Sequence, residues 1–452
     1  MTGQNSFWFA NPSTDFYNGV IDQSLRYNYG DSPYLTRTAD SGNRRTFTFS
    51  SWFKRSSFNQ TNSIFGATLN GNNFFALRFR DIDDPDGGKL QIANYSGSFD
   101  MDLRTSQVFR DLTNWYHIVV AVDTTQATDS DRVKLYVNGS QVTSFSTATY
   151  PSQNFETRVS NGHSEQVGAE ATSYSYIDGY LAEVNFIDGT ALTPSSFGET
   201  KNGVWIPKAI SGLTYGTNGF RLTFADSSSL GDDTSGNGND FTSSGLASTD
   251  VVLDRPENNF CTLNPLNTNY NRGQVTISRN NLRFVSSSTN RGFTTGTMKV
   301  HGKVYFEVLS RDGNNGFAGI QNITNDAGGS TAGQSLDMYN GTPRIDGSAQ
   351  SGTGTFSDGD IMGVAVDVDA KSVEFFRNNV SKFSGNYTTD AEYFPFLYDS
   401  SGGRSSDNIA NFGQDSSFTG EKTSGSNNAQ DDNGQGDFYY TPPSGFLALC
   451  NA

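Results

Sequence analysis

The stretch Trp115–Phe145, WYHIVVAVDTTQATDSDRVKLYVNGSQVTSF, decides the fold, and Ile361–Phe383, IMGVAVDVDAKSVEFFRNNVSKF, repeats its plan. In each, a V-A-V-D run leads into a polar turn. A second run of alternating apolar and polar residues follows and ends in a tight polar turn: Val137-Asn138-Gly139 in one, Arg377-Asn378-Asn379 in the other. Alternation with period two puts apolar side chains on one face of a strand. Asn-Gly between two such runs is the strongest short-range hairpin signal. Two hairpins of one design in sequences that differ elsewhere predict two separate antiparallel β-sandwich domains. A repeat so widely spaced does not fit a solenoid, whose units run about 20 to 50 residues.

Outward from the first hairpin, residues 1–208 form the first predicted domain. Its strands include Ser24–Tyr27, Tyr34–Arg37, Thr46–Phe53, Phe74–Phe79 and Tyr180–Phe186, most of which alternate as half-buried strands do. Residues 209–257 are rich in Gly, Ser, Thr and Asp and predict a linker with one strand, Gly219–Phe224. Within it, SSSLGDDTSGNGNDFTSSGLAS (Ser227–Ser248) holds too few apolar residues for a core of its own. Residues 258–452 form the second domain, with strands at Leu282–Phe284, Lys303–Val308, Gly316–Ile320 and the second hairpin. Its tail predicts a long polar loop, Asp415–Phe438, before a closing segment, Tyr439–Leu449.

Composition agrees with an all-β reading. The 452 residues are 13% aromatic and include 48 glycines, a mixture suited to short strands and many turns. No 3.6-residue apolar stripe and no run of about 18 apolar residues occurs, so neither a coiled coil nor a membrane-spanning helix is expected. Without heptads, nothing sets a number of chains. A formal charge of −16 and a pI near 4.6 argue against nucleic acid as a partner, because phosphate binding needs clustered Lys and Arg. The opening MTGQNSFWFANPSTDF has no basic segment followed by an apolar core, so no secretory signal is expected. Cys261 and Cys450 are too few for a disulfide framework, but they bracket the second domain, and both thiols and a bond remain open.

Catalytic constellations are sparse. Asp178, Glu183 and Asp188 form the nearest acidic cluster on strands, yet their five-residue steps lack the pairing that acid and nucleophile roles need, so a non-enzymatic protein is expected. Asp123 and Asp367 fall at equivalent strand ends, where turn capping accounts for them. His117, His163 and His301 stand apart from any Cys or His at zinc-ligand spacing, and no P-loop string exists. Calcium is the more credible ion. Asp81, Asp83, Asp84 and Asp86 put four carboxylates into six residues, oxygen ligands of the kind calcium takes. Asp232, Asp233, Asn237, Asn239 and Asp240 form a weaker second candidate. For ligand binding, aromatic platforms beside amides and carboxylates point to Tyr174 and Tyr176 in one loop, and to Tyr339 within Asp337–Asn340.

A resemblance sharpens these expectations. DSPYLTRT, FTFSSWFKR, WYHIVVAVD and IDGYLAEVNFIDGTALTPSSFG resemble the strand order of the laminin G-like, concanavalin A-like jelly roll. GKVYFEV, GFAGI, GDIMGVAVDVDAKSVEFFRNN, YFPFL and NFGQ are similar to the SPRY (B30.2-like) sandwich. Together with YGTNGFRLTFAD, DTSGNGNDFT, NNFCTLNPLN and PPSGFLAL, nearly the whole chain resembles tail-fibre and virion surface proteins of tailed, especially marine, bacteriophages. The resemblance implies two concanavalin A-like jelly rolls joined by the Gly/Ser/Asn-rich linker. It also implies a non-enzymatic tail-fibre or receptor-binding subunit on the virion surface, which presents loops to a host-surface glycan or protein. Implied partners are other virion proteins and further copies of the chain, three in many fibres. A capsid-decoration or head-fibre role is the alternative within that setting, and a carbohydrate-active enzyme the alternative outside it. The usual anchor and trimeric stalk are missing from the string, so attachment falls to a sandwich surface or to the Phe7-Trp8-Phe9 triplet.

Overall fold

The computed structural model describes residues 16–267, 275–286, 292–311, 316–322, 333–399, 405–423 and 429–451. The Phe7-Trp8-Phe9 triplet lies outside them. The chain is almost wholly antiparallel β-sheet and divides into two compact units. The first holds the residues up to Val251 together with Arg255–Asn259, and the second holds Val252–Asp254 and Phe260–Asn451.

The strands of the first unit are β1 Ser24–Tyr27, β2 Tyr34–Thr38, β3 Thr46–Arg55, β4 Asn62–Asn70, β5 Asn73–Phe79, β6 Lys89–Ser96, β7 Phe99–Val108, β8 Trp115–Asp123 and β9 Val133–Val137. They continue with β10 Ser140–Gln141, β11 Phe145–Thr149, β12 Ser164–Val167, β13 Gly179–Asp188, β14 Gly198–Lys201, β15 Val204–Pro207, β16 Phe220–Leu222 and β17 Thr242–Ser244. One sheet runs β10-β9-β8-β3-β13-β1, with β16 also on β13; the other runs β11-β7-β6-β5-β4-β12-β2-β17. Alternation explains the layers. On β3, Phe47, Phe49 and Phe53 enter the core between the sheets, while Thr48 and Ser50 on the other face bond to Thr190 and His117. The core is aromatic, with Phe49 stacked on Phe65 at 5.0 Å and Phe65 on Phe186 at 5.9 Å.

Residues 209–257 are not a linker. Phe220–Leu222 pairs with β13 and Thr242–Ser244 with β2, so the stretch adds strands to both sheets of the first unit. Phe220, Leu222, Phe224, Leu230 and Phe241 are buried in its core. The polar composition misleads because so few apolar side chains cannot build a core, yet five of them suffice to complete one supplied by other strands. The loop between β16 and β17 is stitched by Asp233. Its carboxylate accepts the N–H groups of Arg221 and Asn239, both at 2.9 Å, and the N–H and hydroxyl of Ser235. Asn237 and Asn239 donate their amides to the carbonyls of Gly216, Thr217 and Gly219. Of the weaker calcium candidate, the Asp233 carboxylate is thus committed to donors of its own loop and of Arg221.

In the second unit one sheet orders as 276–278, 283–286, 406–411, 303–310, 361–367, 372–377 and 380–386. The other orders as 292–295, 393–399, 317–322, 333–337, 342–345 and 348–349. The described part of the polar tail carries no strand but is tightly held. Glu307, fully buried on the central strand, accepts the N–H groups of Tyr439 (2.9 Å) and Tyr440 (2.8 Å), the amide of Asn411 (3.2 Å) and the Tyr305 hydroxyl (3.2 Å). Asp431 receives the N–H of Ala448 at 2.9 Å. Phe260 and Cys450 pair across an antiparallel bridge. Cys261, one residue on, turns to the opposite face and into the sandwich core, whereas Cys450 packs with Phe260 in a separate cluster. The two sulfurs therefore form no disulfide.

Candidate functional site

The outer face of the β11-to-β17 sheet carries a linked row of polar side chains. Leu77, Phe79, Leu90, Ile92 and Leu103 point into the core, so their alternating neighbours Arg78, Gln91, Asp102 and Arg104 point outward. The register aligns Arg78 with Gln91 and Gln91 with Arg104. Arg78 Nε donates to Gln91 Oε1 at 2.9 Å, and Gln91 Nε2 donates to Asp102 at 2.7 Å. Arg104 grips Asp102 with Nε (3.0 Å) and Nη2 (2.7 Å), a bidentate fork that fixes both side chains.

At one end of this row Arg78 pairs with Glu170. The segment after β12 brings Glu170 there by crossing directly over Gly66, where any Cβ would collide with the Glu170 backbone. At the other end lies the loop 81–88. Arg80 pairs with Asp84, Arg104 with Asp86, and Lys89 with Asp86 at 2.8 Å. The Lys89 hydrogen bond, against burial and with help from Arg104, holds the Asp86 carboxyl below the usual range. Asp81 accepts the Asp83 N–H at 3.0 Å, and Asp83 is exposed. The structure thus disperses the four carboxylates among different partners. Among the described residues no group of three or more His, Cys, Asp or Glu is placed to hold a metal ion.

Beside Glu170 the loop between β12 and β13 presents Tyr174 and Tyr176. Tyr174 is 37% exposed, and burial, with the neighbouring Glu170 charge, pushes its hydroxyl up. Tyr176 stacks on Tyr34 at 6.1 Å and 15°, and Tyr29 meets it edge-on at 6.4 Å. Tyr29 is 45% exposed. Three tyrosines from three places in the chain therefore form one contiguous aromatic surface. Each is held differently: Tyr34 by the start of β2, Tyr29 by the turn 29–31, and Tyr176 by its hydroxyl on the Thr172 carbonyl at 2.9 Å. Half-buried Asn28 and exposed Asp31 flank the surface and bond to each other. Behind it, burial pushes the Asp178 carboxyl up to about 6. The sequence reading found Tyr174 and Tyr176 but missed Tyr29, Tyr34, Arg78 and Glu170. Tyr34 was visible as a strand residue, and nothing local shows that its ring meets one from residue 176. Tyr339, in the second unit, is 40% exposed at a turn where its N–H bonds to Asp337 at 3.0 Å.

Two other candidates resolve into structural roles. Asp178 and Asp188 flank and end β13, so roughly 33 Å separates them, with Glu183 about 17 Å from each, at 3.3 Å per residue. Paired glycosidase carboxylates stand about 5 to 9.5 Å apart. Glu183 pairs instead with Arg221, and Asp188 accepts the N–H groups of Asn43 and Asn218, each at 3.0 Å. His117 is sandwiched between Trp52 (4.7 Å) and Trp205 (5.9 Å). Trp205 Nε1 can only donate, so His117 Nδ1 accepts from it at 3.0 Å and Nε2 carries the proton toward Ser50 at 2.9 Å. Burial lowers this imidazole to about 3.

Residues 28–196 match the Concanavalin A-like lectin/glucanases superfamily. The Tyr29–Tyr34–Tyr176 surface and the Arg78 row both lie within this concanavalin A-like region. No curated protein matches the chain. Among solved structures, the SPRY domain of human HERC1 is similar at 13% identity, covering 33% of this chain and 96% of that one with a TM-score of 0.29. A putative carbohydrate binding protein from Bacteroides ovatus is similar at 15% identity, covering 50% of this chain and 58% of that one with a TM-score of 0.32. A heptameric SAP-like pentraxin from Limulus polyphemus is similar at 18% identity, covering 38% and 79% with a TM-score of 0.29.

Proposed function

We propose that the chain is a non-enzymatic binding protein of a bacteriophage virion surface, a tail-fibre or receptor-binding subunit whose concanavalin A-like region holds a host-surface glycan. The observation that carries the reading is the joined surface of Tyr29, Tyr34 and Tyr176 beside Tyr174 and the buried Arg78–Glu170 pair. Sugars offer a C–H face to aromatic rings and hydroxyls to fixed charged groups, and this surface presents both within one sheet face. The match of residues 28–196 to a lectin and glucanase superfamily supports a binding role. The wide separation of the β13 carboxylates supports binding without hydrolysis. Other virion proteins and further copies of the chain are the proposed assembly partners.

The test is binding of fluorescently labelled protein to susceptible host cells, competed by unlabelled protein and by soluble host polysaccharide. Saturable binding that Tyr176→Ala and Tyr34→Ala each weaken at unchanged unfolding temperature is the expected result. Binding that is indifferent to both changes overturns the site. No binding to a susceptible host transfers the assignment to a structural decoration role.

A further inference from the structure

Phe74, Tyr95 and Phe99 form an aromatic strip that the tyrosine surface does not use. They stand side by side on β5, β6 and β7, where the register aligns Phe74 with Tyr95 and Tyr95 with Phe99. The rings of Phe74 and Tyr95 stack at 5.5 Å and 19°, and Phe99 meets Tyr95 edge-on at 5.0 Å and 72°. Phe74 and Tyr95 pack with Ala76 and Ala93 in a cluster apart from the sandwich core, so the strip belongs to the outer face of the sheet. Phe99 is 39% exposed and Tyr95 half-buried. The guanidinium of Arg104 lies over the Phe99 ring at 5.9 Å and that of Arg78 over Phe74 at 5.7 Å. Both ends of the strip are therefore held in place before any ligand arrives.

The strip continues the tyrosine surface along the same sheet face. Arg78 joins the two: the guanidinium that covers Phe74 also pairs with Glu170, and both charges act on the Tyr174 hydroxyl. On β5 and β6 only the paired Ala76 and Ala93 separate the strip from Arg78 and Gln91. From Tyr34 on β2 to Phe99 on β7 the face crosses five strand spacings, roughly 24 Å at about 4.8 Å each. That length suits a chain of several sugars with an aromatic platform at each end. Charge narrows the kind of chain. Arg78 is paired with Glu170, Arg104 with Asp102 and Asp86, and Lys89 with Asp86. Asp100 adds a further carboxylate, bonded to the Asn94 amide at 3.3 Å, and the whole chain carries −16. Each of these cations is already matched, so a carboxylate or sulfate on a sugar would enter without a counter-charge.

We propose that Phe74, Tyr95 and Phe99 form a second aromatic subsite, which extends the glycan site across the sheet and selects an uncharged polysaccharide chain. This rests on the glycan reading of the tyrosine surface and names its ligand class. Phe99 and Tyr95 take the C–H faces of sugars several units along from the one on Tyr34 and Tyr176, while Phe74 backs the Tyr95 ring. The Arg78–Glu170 pair lies between the two platforms.

The experiment is calorimetric titration of the full chain with polysaccharide released from susceptible host cells, separated into neutral and anionic fractions and cut into oligosaccharides graded by length. Wild type is expected to bind the neutral fraction, with an affinity that rises with chain length. Phe99→Ala should weaken binding of the longest neutral chains roughly three- to tenfold and leave that of the shortest unchanged, whereas Tyr176→Ala should weaken both. If Phe99→Ala does not fold, Phe99→Leu, which keeps an apolar side chain without the ring, takes its place. Affinity independent of length, long chains held by Phe99→Ala as tightly as by wild type, or binding confined to the anionic fraction overturns the second subsite, and the tyrosine site stands as long as Tyr176→Ala still weakens binding. Binding at every length that Tyr176→Ala leaves unchanged overturns the glycan reading itself, and absence of binding by both fractions overturns the two together.

Discussion

Asn378 Oδ1 accepts the backbone N–H of Ile361 at 2.9 Å while the Asn378 N–H returns to the Ile361 carbonyl at 2.9 Å. Asn138 and His117 make the same reciprocal pair at 2.8 Å in both directions. The two hairpins thus match beyond their alternation. Each needs, at the first turn position, a residue that tolerates positive φ (47° at Asn138, 49° at Asn378) and whose side chain can replace a ladder partner.

Replacing Asn138 or Asn378 with Ala removes both properties, and each change is expected to cost about 1 to 3 kcal/mol. Asn→Gly keeps the backbone freedom and loses only the side-chain bond, so its cost should be smaller, about 0.5 to 1.5 kcal/mol. Denaturant unfolding of the four variants checks this. Equal costs for Ala and Gly would mean that the turn conformation contributes nothing.

These hairpins were legible because their signals are local: alternation, Asn, Gly and the distance between them. What escaped reading depends on partners far along the chain. Phe220 and Phe241 look isolated among Ser, Gly and Asp, and become core residues because Phe220 packs on Phe65 and Phe186 and Phe241 packs on Phe220. Glu257 is likewise silent in sequence, yet its two oxygens accept four successive N–H groups, from Asn18 to Ile21. A carboxylate that binds main-chain amides leaves no pattern in its partners, since every non-proline residue offers the same donor. The tyrosine surface was half visible for the same reason. Tyr174 and Tyr176 share a loop, whereas Tyr29 and Tyr34 reach it only through the sheet.

The imidazole of His117, lowered to about 3 by burial, must stay neutral in the fold, while in the unfolded chain it titrates near 6.5. Its contribution is therefore complete above about pH 6.5 and is lost as pH falls toward 3, by about 1.4 kcal/mol per pH unit. His117→Gln should flatten that slope while lowering stability at pH 8, because the amide keeps a hydrogen-bonding group but loses the stack between Trp52 and Trp205. Thermal unfolding across pH, followed by tryptophan fluorescence, measures both effects.

Glu307 behaves oppositely. Burial raises its carboxyl from 4.5 to about 7 against the hydrogen bonds from Tyr439, Tyr440, Asn411 and Tyr305. The folded state thus holds a proton that the unfolded state releases, so this group favours folding most below about pH 4.5 and loses that contribution as pH rises through 7. Glu307→Gln should remove the dependence. Glu307→Leu should do so too, and should also strand the Tyr439 and Tyr440 amides, costing about 2 to 5 kcal/mol and opening the tail to proteases. Limited proteolysis with mass spectrometry locates the cut; a tail as resistant as wild type would contradict the role assigned to Glu307.

The acidic loop 81–88 supplies a prediction that separates ion pairing from metal binding. Asp86 receives Lys89 and Arg104 and sits at partly screened surface, so Asp86→Asn is expected to cost about 0.5 to 1 kcal/mol. Because the lost partners are protein cations, the cost should shrink as salt rises and should be the same with and without a calcium chelator. Asp83→Asn, at an exposed carboxylate outside those pairs, should change stability far less. A cost for Asp86→Asn that vanishes in chelator would instead place calcium in this loop, since a metal already stripped leaves nothing for the substitution to remove.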